Sequence, residues 1–230
     1  MKIDILTLFP KMFDGPFKES ILKRAQEKKL IEINIHDLRK WTTDNHKTVD
    51  DRPFSGGVGM ILKVDVIDRA VSQLKTKDQE LKTKVILLDA GGKQFNQKTV
   101  LQLSEVDHII LITGHYEGVD YRVHKYIADE VISIGDYILT GGEIPAMVLT
   151  DSIARLIPGV IVKSDAIKYE SFSPSHFSLL EYPQYTRPEI YNGWKVPKVL
   201  LSGNHKEIEK WKHTEALKKT KKVRSDLLEI

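Results

Sequence analysis

Three glycine-bearing segments each follow a short apolar run: Asp89-Ala90-Gly91-Gly92, Gly114-His115-Tyr116-Glu117-Gly118, and Gly135-Asp136-Tyr137-Ile138-Leu139-Thr140-Gly141-Gly142. In open α/β sheets ligands sit beyond the carboxyl ends of the strands. Glycine lets a ligand approach the backbone closely and tolerates positive φ. Any one of these loops reads equally well as a tight strand-to-helix turn. The three together predict a single pocket rich in backbone N–H and C=O groups. None carries a familiar phosphate fingerprint. No G-x-G-x-x-G follows a strand, Gly57 and Gly59 lie inside a long polar loop, and Gly92-Lys93 is followed by Gln94 rather than Ser or Thr. This argues against an ordinary dinucleotide dehydrogenase and against a phosphate-loop ATPase, and leaves room for an adenosine ligand held mainly by backbone groups.

Two long segments, Asp37 to Met60 and Val160 to Pro188, fit no periodic element. Such loops in compact domains are usually functional or disordered. The first holds Val49-Asp50-Asp51-Arg52-Pro53-Phe54 and Gly56-Gly57-Val58-Gly59-Met60; the second holds Tyr169-Glu170-Ser171-Phe172 and Pro183-Gln184-Tyr185-Thr186-Arg187-Pro188. An acid beside an aromatic and an arginine suits a polar heterocycle. The aromatic stacks, the acid accepts from ring N–H donors, and the arginine neutralises oxygen or phosphate. Asp50, Arg52, Gly57, Gly59, Ser171, Tyr185 and Arg187 are accordingly read as the substrate side. Taken singly, Asp44, Asp50 and Arg187 read equally as surface ion pairs or turn caps.

Composition narrows the chemistry further. With no cysteine in 230 residues, thiol nucleophiles, thiolate zinc sites, Fe–S clusters and disulfides are excluded, which fits a reducing cytoplasm. The eight histidines show no H-x-x-x-H pair, so no metal ligands are assigned. No G-x-S-x-G elbow is present either. Apolar runs last only a few residues, far short of a membrane span, and Met1-Lys2-Ile3-Asp4-Ile5 is expected not to open a signal peptide. The net charge of +3 hides an asymmetry: Gly193 to Ile230 carries 10 Lys+Arg against 5 Asp+Glu, whereas the preceding residues carry 25 against 27. A basic tail on a near-neutral body suggests a nucleic-acid partner, or else a solvated helix.

The elements that must position these residues alternate between strand and helix. A β-prone start runs from Lys2 to Phe9, and a helical segment lies near Phe17 to Lys28. Ile31, Ile33 and Ile35 show period-2 patterning. A helix is predicted over Val64 to Leu74, with Val64, Ile67, Ala70, Val71 and Leu74 on one stripe. The apolar runs Val85 to Leu88, His108 to Thr113 and Glu130 to Ile134 read as parallel strands covered on both faces. A helix from Glu143 to Ile157 follows, stopped by Pro158-Gly159. Near the end, Asn204 and Glu207 have capping-box spacing before a basic helix. The fold class is α/β with a mostly parallel sheet and a small α-helical C-terminal domain.

Six blocks, in order and spanning nearly the whole chain, resemble the bacterial tRNA (guanine-N1)-methyltransferases, the TrmD family of the SPOUT class. They are Leu8-Phe9-Pro10-Lys11-Met12-Phe13; Thr48-Val49-Asp50-Asp51-Arg52-Pro53 with its glycines; Gly114 to Gly118; Ser133 to Glu143; Arg155-Leu156-Ile157-Pro158-Gly159-Val160; and Leu200-Leu201-Ser202-Gly203-Asn204-His205. The resemblance implies methyl transfer from S-adenosylmethionine to N1 of the guanosine 3′-adjacent to the anticodon in tRNA. It also implies a trefoil knot, a cytoplasmic homodimer whose active site is shared between subunits, and Mg²⁺ dependence, although no closed metal site is legible. It further implies a knotted cofactor-binding domain over residues 1–160, an interdomain loop with the catalytic carboxylate over 161–188, and a helical tRNA-binding domain over 189–230.

Carried over by position, the cofactor side comprises Leu87, Leu88, Gly114, Ile134, Gly135, Asp136, Tyr137, Ile138, Leu139, Gly141, Gly142 and Pro145. The catalytic arginine falls on Arg155. The catalytic aspartate, which precedes a Ser-Phe pair, falls on Glu170, one methylene longer; Asp165 is the weaker candidate. Asp89-Ala90-Gly91-Gly92 stands where the family usually has Ser-Pro-Gln-Gly, His115 where many members carry Arg, and Gln184 where many carry His. Guanine N1 is protonated at neutral pH, so a carboxylate removes its proton as the methyl transfers, and a guanidinium stabilises the charge that builds on O6. The competing classes are another SPOUT enzyme, acting on a ribose 2′-OH or a ribosomal base, and a non-catalytic tRNA-binding module.

Overall fold

The computed structural model describes residues 1–54, 56–77, 81–162, 167–173 and 179–228. They fall into two compact units, Met1–Val162 and Lys163–Ile230. In the first, β1 (Lys2–Thr7), α1 (Ser20–Glu27), β2 (Glu32–Asp37), β3 (Asp50–Asp51), β4 (Ile61–Leu62), α2 (Val64–Lys77), β5 (Thr83–Gln94), α3 (Gln97–Ser104), β6 (His108–Thr113), α4 (Tyr121–Tyr126), β7 (Glu130–Ser133) and α5 (Glu143–Ala154) follow in chain order. Five strands make one sheet in the order β2-β1-β6-β5-β7, and every neighbouring pair is parallel.

The continuous apolar runs exist because helices cover both faces of this sheet. On one face Ile3, Ile5, Ile86, Leu88, Ile109 and Leu111 pack with Leu22 of α1, Val100 of α3 and Leu149 and Ile153 of α5. On the other, Leu6, Val85, Leu87, Ile110 and Ile112 pack with Val66, Ile67 and Val71 of α2 and Val123 of α4. The alternating side chains at the centre of β5 and β6 are thus apolar on both sides. The short helices α3 and α4 lack a long stripe. Their caps mark them instead: Asn96 accepts from the Thr99 N–H and Asp120 from the Arg122 N–H.

Some expected boundaries shift for local reasons. The N-terminal strand ends at Thr7 rather than Phe9, as the chain turns into a 3₁₀ helix over Pro10–Phe13. The first helix begins at Ser20 because Pro16–Lys18 forms its own 3₁₀ turn. The last helix of the unit ends at Ala154, with Arg155 as its C-cap. The loop from Asp37 to Met60 is not wholly irregular. It contains a 3₁₀ turn over Leu38–Trp41, and β3 pairs antiparallel with β4, Asp50 opposite Leu62.

The second unit has a two-stranded hairpin, β8 (Ile190–Tyr191) with β9 (Trp194–Lys195), then α6 (Lys198–Leu201) and α7 (His205–Val223). Asn204 caps α7 by accepting from the Glu207 N–H. The buried Thr220 of α7 accepts from the Leu180 N–H at 2.9 Å and donates to the Ala216 carbonyl at 2.8 Å, which fixes the end of the second long loop on that helix.

One buried charge in the first unit sets a pH limit. Asp4 of β1 is fully buried and meets Nε2 of His108 and Nε2 of His36, each at 2.7 Å, and Lys2 at 3.3 Å. Burial would raise its pKa, but hydrogen bonds from His108 and His36 and the charge of Lys2 prevail and hold it well below the usual carboxylate range. Its stabilisation is therefore complete above the unfolded pKa of about 3.9 and is lost as pH falls below that. Asp4→Asn is expected to cost about 2–4 kcal/mol at pH 7, and the gap to wild type should shrink below about pH 4. Urea unfolding across that range checks both the size and the sign.

Candidate functional site

One cavity of about 250 Å³ opens at the carboxyl ends of β6 and β7 and beside the middle of β5. All three glycine-bearing segments contribute to its wall: Leu88, Asp89 and Ala90 from within β5, which does not end in the expected loop but runs on to Gln94 through a register shift between Leu88 and Lys93; Gly114 through Gly118 after β6; and Ile134, Gly135 and Tyr137 through Gly142 after β7, with Pro145 from α5. Ten of the twelve residues assigned to the cofactor side line it. Leu87 does not, because its side chain points into the opposite core face. Asp136 is exposed and also lies off the lining.

The lining loops are stitched to one another by backbone contacts. His115 and Gly141 form an antiparallel bridge, and the Gly142 N–H donates to the Gly114 carbonyl at 2.8 Å. A Cβ on Gly142 would stand 2.7 Å from Thr113 Cα and 2.9 Å from the Gly114 nitrogen, so only glycine lets the two loops meet. Beneath this crossing lies Glu143, 1% exposed, at the start of α5. Thr7 Oγ1 donates to its Oε1 at 2.8 Å, and Thr113 Oγ1 lies 3.2 Å from the same oxygen. His115 Nδ1 is 3.8 Å from the other carboxylate oxygen and is buried without a hydrogen-bond partner among the described residues. The His115 ring packs between Phe9, at 4.7 Å, and Tyr116, at 4.9 Å between centroids.

The first long loop borders this cavity. The Glu117 N–H donates to the Met60 carbonyl, the Leu62 N–H to Gly118, and the Asp120 N–H to Leu62. Gly57 and Gly59 precede this seam, and the missing Cβ of Gly59 faces the Glu117 side chain. Asp50 is half-buried in β3; Arg52 is exposed, its N–H held by the Asp51 carboxylate at 2.7 Å. Asp44 is a turn cap: it accepts from the Thr48 N–H and hydroxyl, which lower its pKa.

Arg155 and Glu170 do not line the cavity. Arg155 caps the far end of α5, so about 15 Å of helix separates it from Pro145 at the cavity. Glu170 belongs to the second unit, in a turn where its carbonyl accepts from the Ser173 N–H. Ser171 Oγ accepts from the Glu181 N–H at 2.9 Å. Tyr185 stands 6.3 Å from Trp211, and Arg187 is exposed. Asp165 lies outside the described residues. Sequence reasoning passed over Glu143 as a polar residue inside the site; the glutamate directly after Gly141-Gly142, opening an otherwise apolar helix, was its only signal. Among the described residues no three His, Asp or Glu side chains group as metal ligands.

A family model described as tRNA (Guanine-1)-methyltransferase TrmD matches residues 1–230. The chain belongs to this family. Its TrmD relatives include a protein of Dictyoglomus turgidum, 55% identical over 229 residues that span all of this chain and 90% of the relative. Another, from Geobacter sp. strain M21, is 50% identical and also 90% covered, and one from Bacillus cereus is 50% identical and 92% covered. Each is named tRNA (guanine-N(1)-)-methyltransferase. Coverage of the whole chain means that both the cavity unit and the helical unit are TrmD-family sequence.

The loop crossing is the fragile point of this TrmD-family cavity. Gly142→Ala must push the Thr113–Gly114 backbone away, at an expected cost of about 1–3 kcal/mol. Chemical denaturation should show a lowered midpoint; an unchanged midpoint would mean that the crossing is looser than its geometry requires.

Proposed function

We infer that the protein transfers the methyl group of S-adenosylmethionine to N1 of the guanosine 3′-adjacent to the anticodon in tRNA. The full-length match to tRNA (guanine-N1)-methyltransferases carries this reading. The cavity is consistent with it. Leu88, Ile132, Ile134 and Leu139 offer apolar walls for a purine, and glycine-rich backbone leaves polar groups to fix its edges and ribose. The cofactor, when bound, supplies a methyl group already activated on sulfonium sulfur. The chain then has to align that methyl with N1 and exclude water. Glu170 takes the N1 proton, and Arg155 stabilises negative charge on O6.

The return of residues 135–142 against residues 113–115, after β7 has crossed to the edge of the sheet beyond β5, supports a trefoil knot. The position of Arg155 supports a homodimer. One helix length separates it from the cavity of its own chain, so it serves the cavity of a second copy. Ile21, Ile144 and Val148 expose apolar surface on α1 and α5 that such a copy would cover. A tRNA-modifying enzyme of this kind works in the cytoplasm, and no described helix is long and apolar enough to cross a membrane.

Three outcomes test the reading. Glu170→Gln should abolish transfer while calorimetry finds unchanged cofactor binding, and Glu170→Asp should stay active; transfer by Glu170→Gln at the wild-type rate removes Glu170 as the base. Arg155→Ala and Gly142→Ala chains, each inactive alone, should recover activity when mixed, since one supplies the intact cavity and the other the arginine. On α7, Lys218 pairs with Glu215 and Lys219 reaches the Glu181 carbonyl, so Lys221 and Lys222 are the freer cations. Replacing both with Gln should weaken tRNA binding and lower the salt slope by up to about 0.9 for each phosphate that is no longer neutralised.

A further inference from the structure

We propose that the β8–β9 hairpin is a stacking platform for an unpaired base of the RNA substrate. Tyr191 and Trp194 are paired across the hairpin, with ring centroids 5.9 Å apart and planes at 58°. The intervening Asn192 and Gly193 have φ of 50° and 82°. That is the tight two-residue turn which matches strand twist, so the two aromatics are held on one rigid support. The Val196 N–H closes the hairpin onto the Glu189 carbonyl at 2.9 Å. Both rings face outward: Tyr191 is 59% exposed and Trp194 72%. Aromatics of this size normally bury 150–250 Å² each, and these two bury little of theirs within their own unit.

The charge around the pair selects the ligand. Arg187, Lys195 and Lys198 flank the hairpin, and none is paired with a carboxylate among the described residues. On α7, by contrast, Lys212 is held by Glu209 and Lys218 by Glu215. Exposed aromatics among unpaired cations match a single-stranded nucleic acid, whose bases stack while its phosphates meet the cations. A base-paired stem would hide its base faces, so the occupant is a looped-out or loop nucleotide.

This proposal rests on the tRNA reading above, and the experiment separates the two. In a Trp41→Phe, Trp211→Phe background Trp194 is the sole tryptophan. Its emission should be quenched on titration with a tRNA transcript. Trp194→Ala should weaken tRNA binding roughly five- to hundredfold, Trp194→Phe should restore most of it, and S-adenosylmethionine affinity should be unchanged in both. If the wild type methylates guanosine N1 but Trp194→Ala binds tRNA as tightly, the platform is overturned and the parent reading stands. A Trp194 signal that follows protein concentration and ignores RNA also overturns it, since the hairpin would then be covered by a second copy of the chain. If the wild type neither binds nor methylates tRNA, both fall.

Discussion

The carboxylate of Glu143 sits where three parts of the first unit converge, and the shape of the cavity follows from it. Thr7 reaches it from the end of β1 and Thr113 from the end of β6, while the residue itself opens α5. A buried carboxylate costs several kcal/mol unless hydrogen bonds replace its water. A full hydrogen bond to a charged group contributes about 1.5–3 kcal/mol. Here the main replacements are the Thr7 hydroxyl and the positive end of a helix; the Thr113 hydroxyl shares its one proton between this carboxylate, at 3.2 Å, and the Leu6 carbonyl, at 2.8 Å. Together they fix the start of α5 against the sheet, and the glycines before it must then pass within backbone contact of the loop after β6. The cavity is the space those glycines leave open.

That arrangement divides the labour of the proposed reaction. The first unit supplies a rigid cradle lined largely by main chain and small residues, which suits a ligand held by its edges. The groups proposed to handle the proton and the oxyanion are not part of its wall: Arg155 stands at the far end of α5 and Glu170 in the second unit. On the proposed reading, chemistry waits until a second copy and the RNA bring those groups in. Discrimination between RNAs then falls to surfaces that do not touch the transferred methyl.

The sheet and its cavity were legible because their signals are local. Continuous apolar runs followed by glycine identify parallel strands and the segments that converge on the cavity, although the first glycine pair, Gly91-Gly92, lies inside β5 rather than in a loop at its end. Helix caps were legible where the spacing was tight, as at Asn204. The antiparallel pairing of Asp50 with Leu62 was not, since two-residue strands carry no period to detect. Leu87 shows a subtler limit. It neighbours a lining residue, but alternation along β5 sends its side chain to the other face. A strand position chosen by adjacency is wrong for the side chain half the time, even when its backbone lies close to the ligand. Glu143 was missed because burial turns on three-dimensional neighbours that sequence spacing does not reveal.

Charge gives the last step. The net +3 of the chain says little about RNA, and the surplus in its final residues is only a better hint. What decides affinity is which cations remain unpaired after folding, since a lysine already held by a carboxylate releases fewer counterions on meeting a phosphate. On α7 the i,i+3 pairs Glu209–Lys212 and Glu215–Lys218 use part of the surplus for the helix itself. The remaining cations include Lys221 and Lys222 at the end of that helix and Arg187, Lys195 and Lys198 around the aromatic hairpin. Long-range attraction and base stacking therefore need not come from the same residues. A helix end that draws in phosphate and a hairpin that grips a base let one small unit both attract an RNA and test its shape.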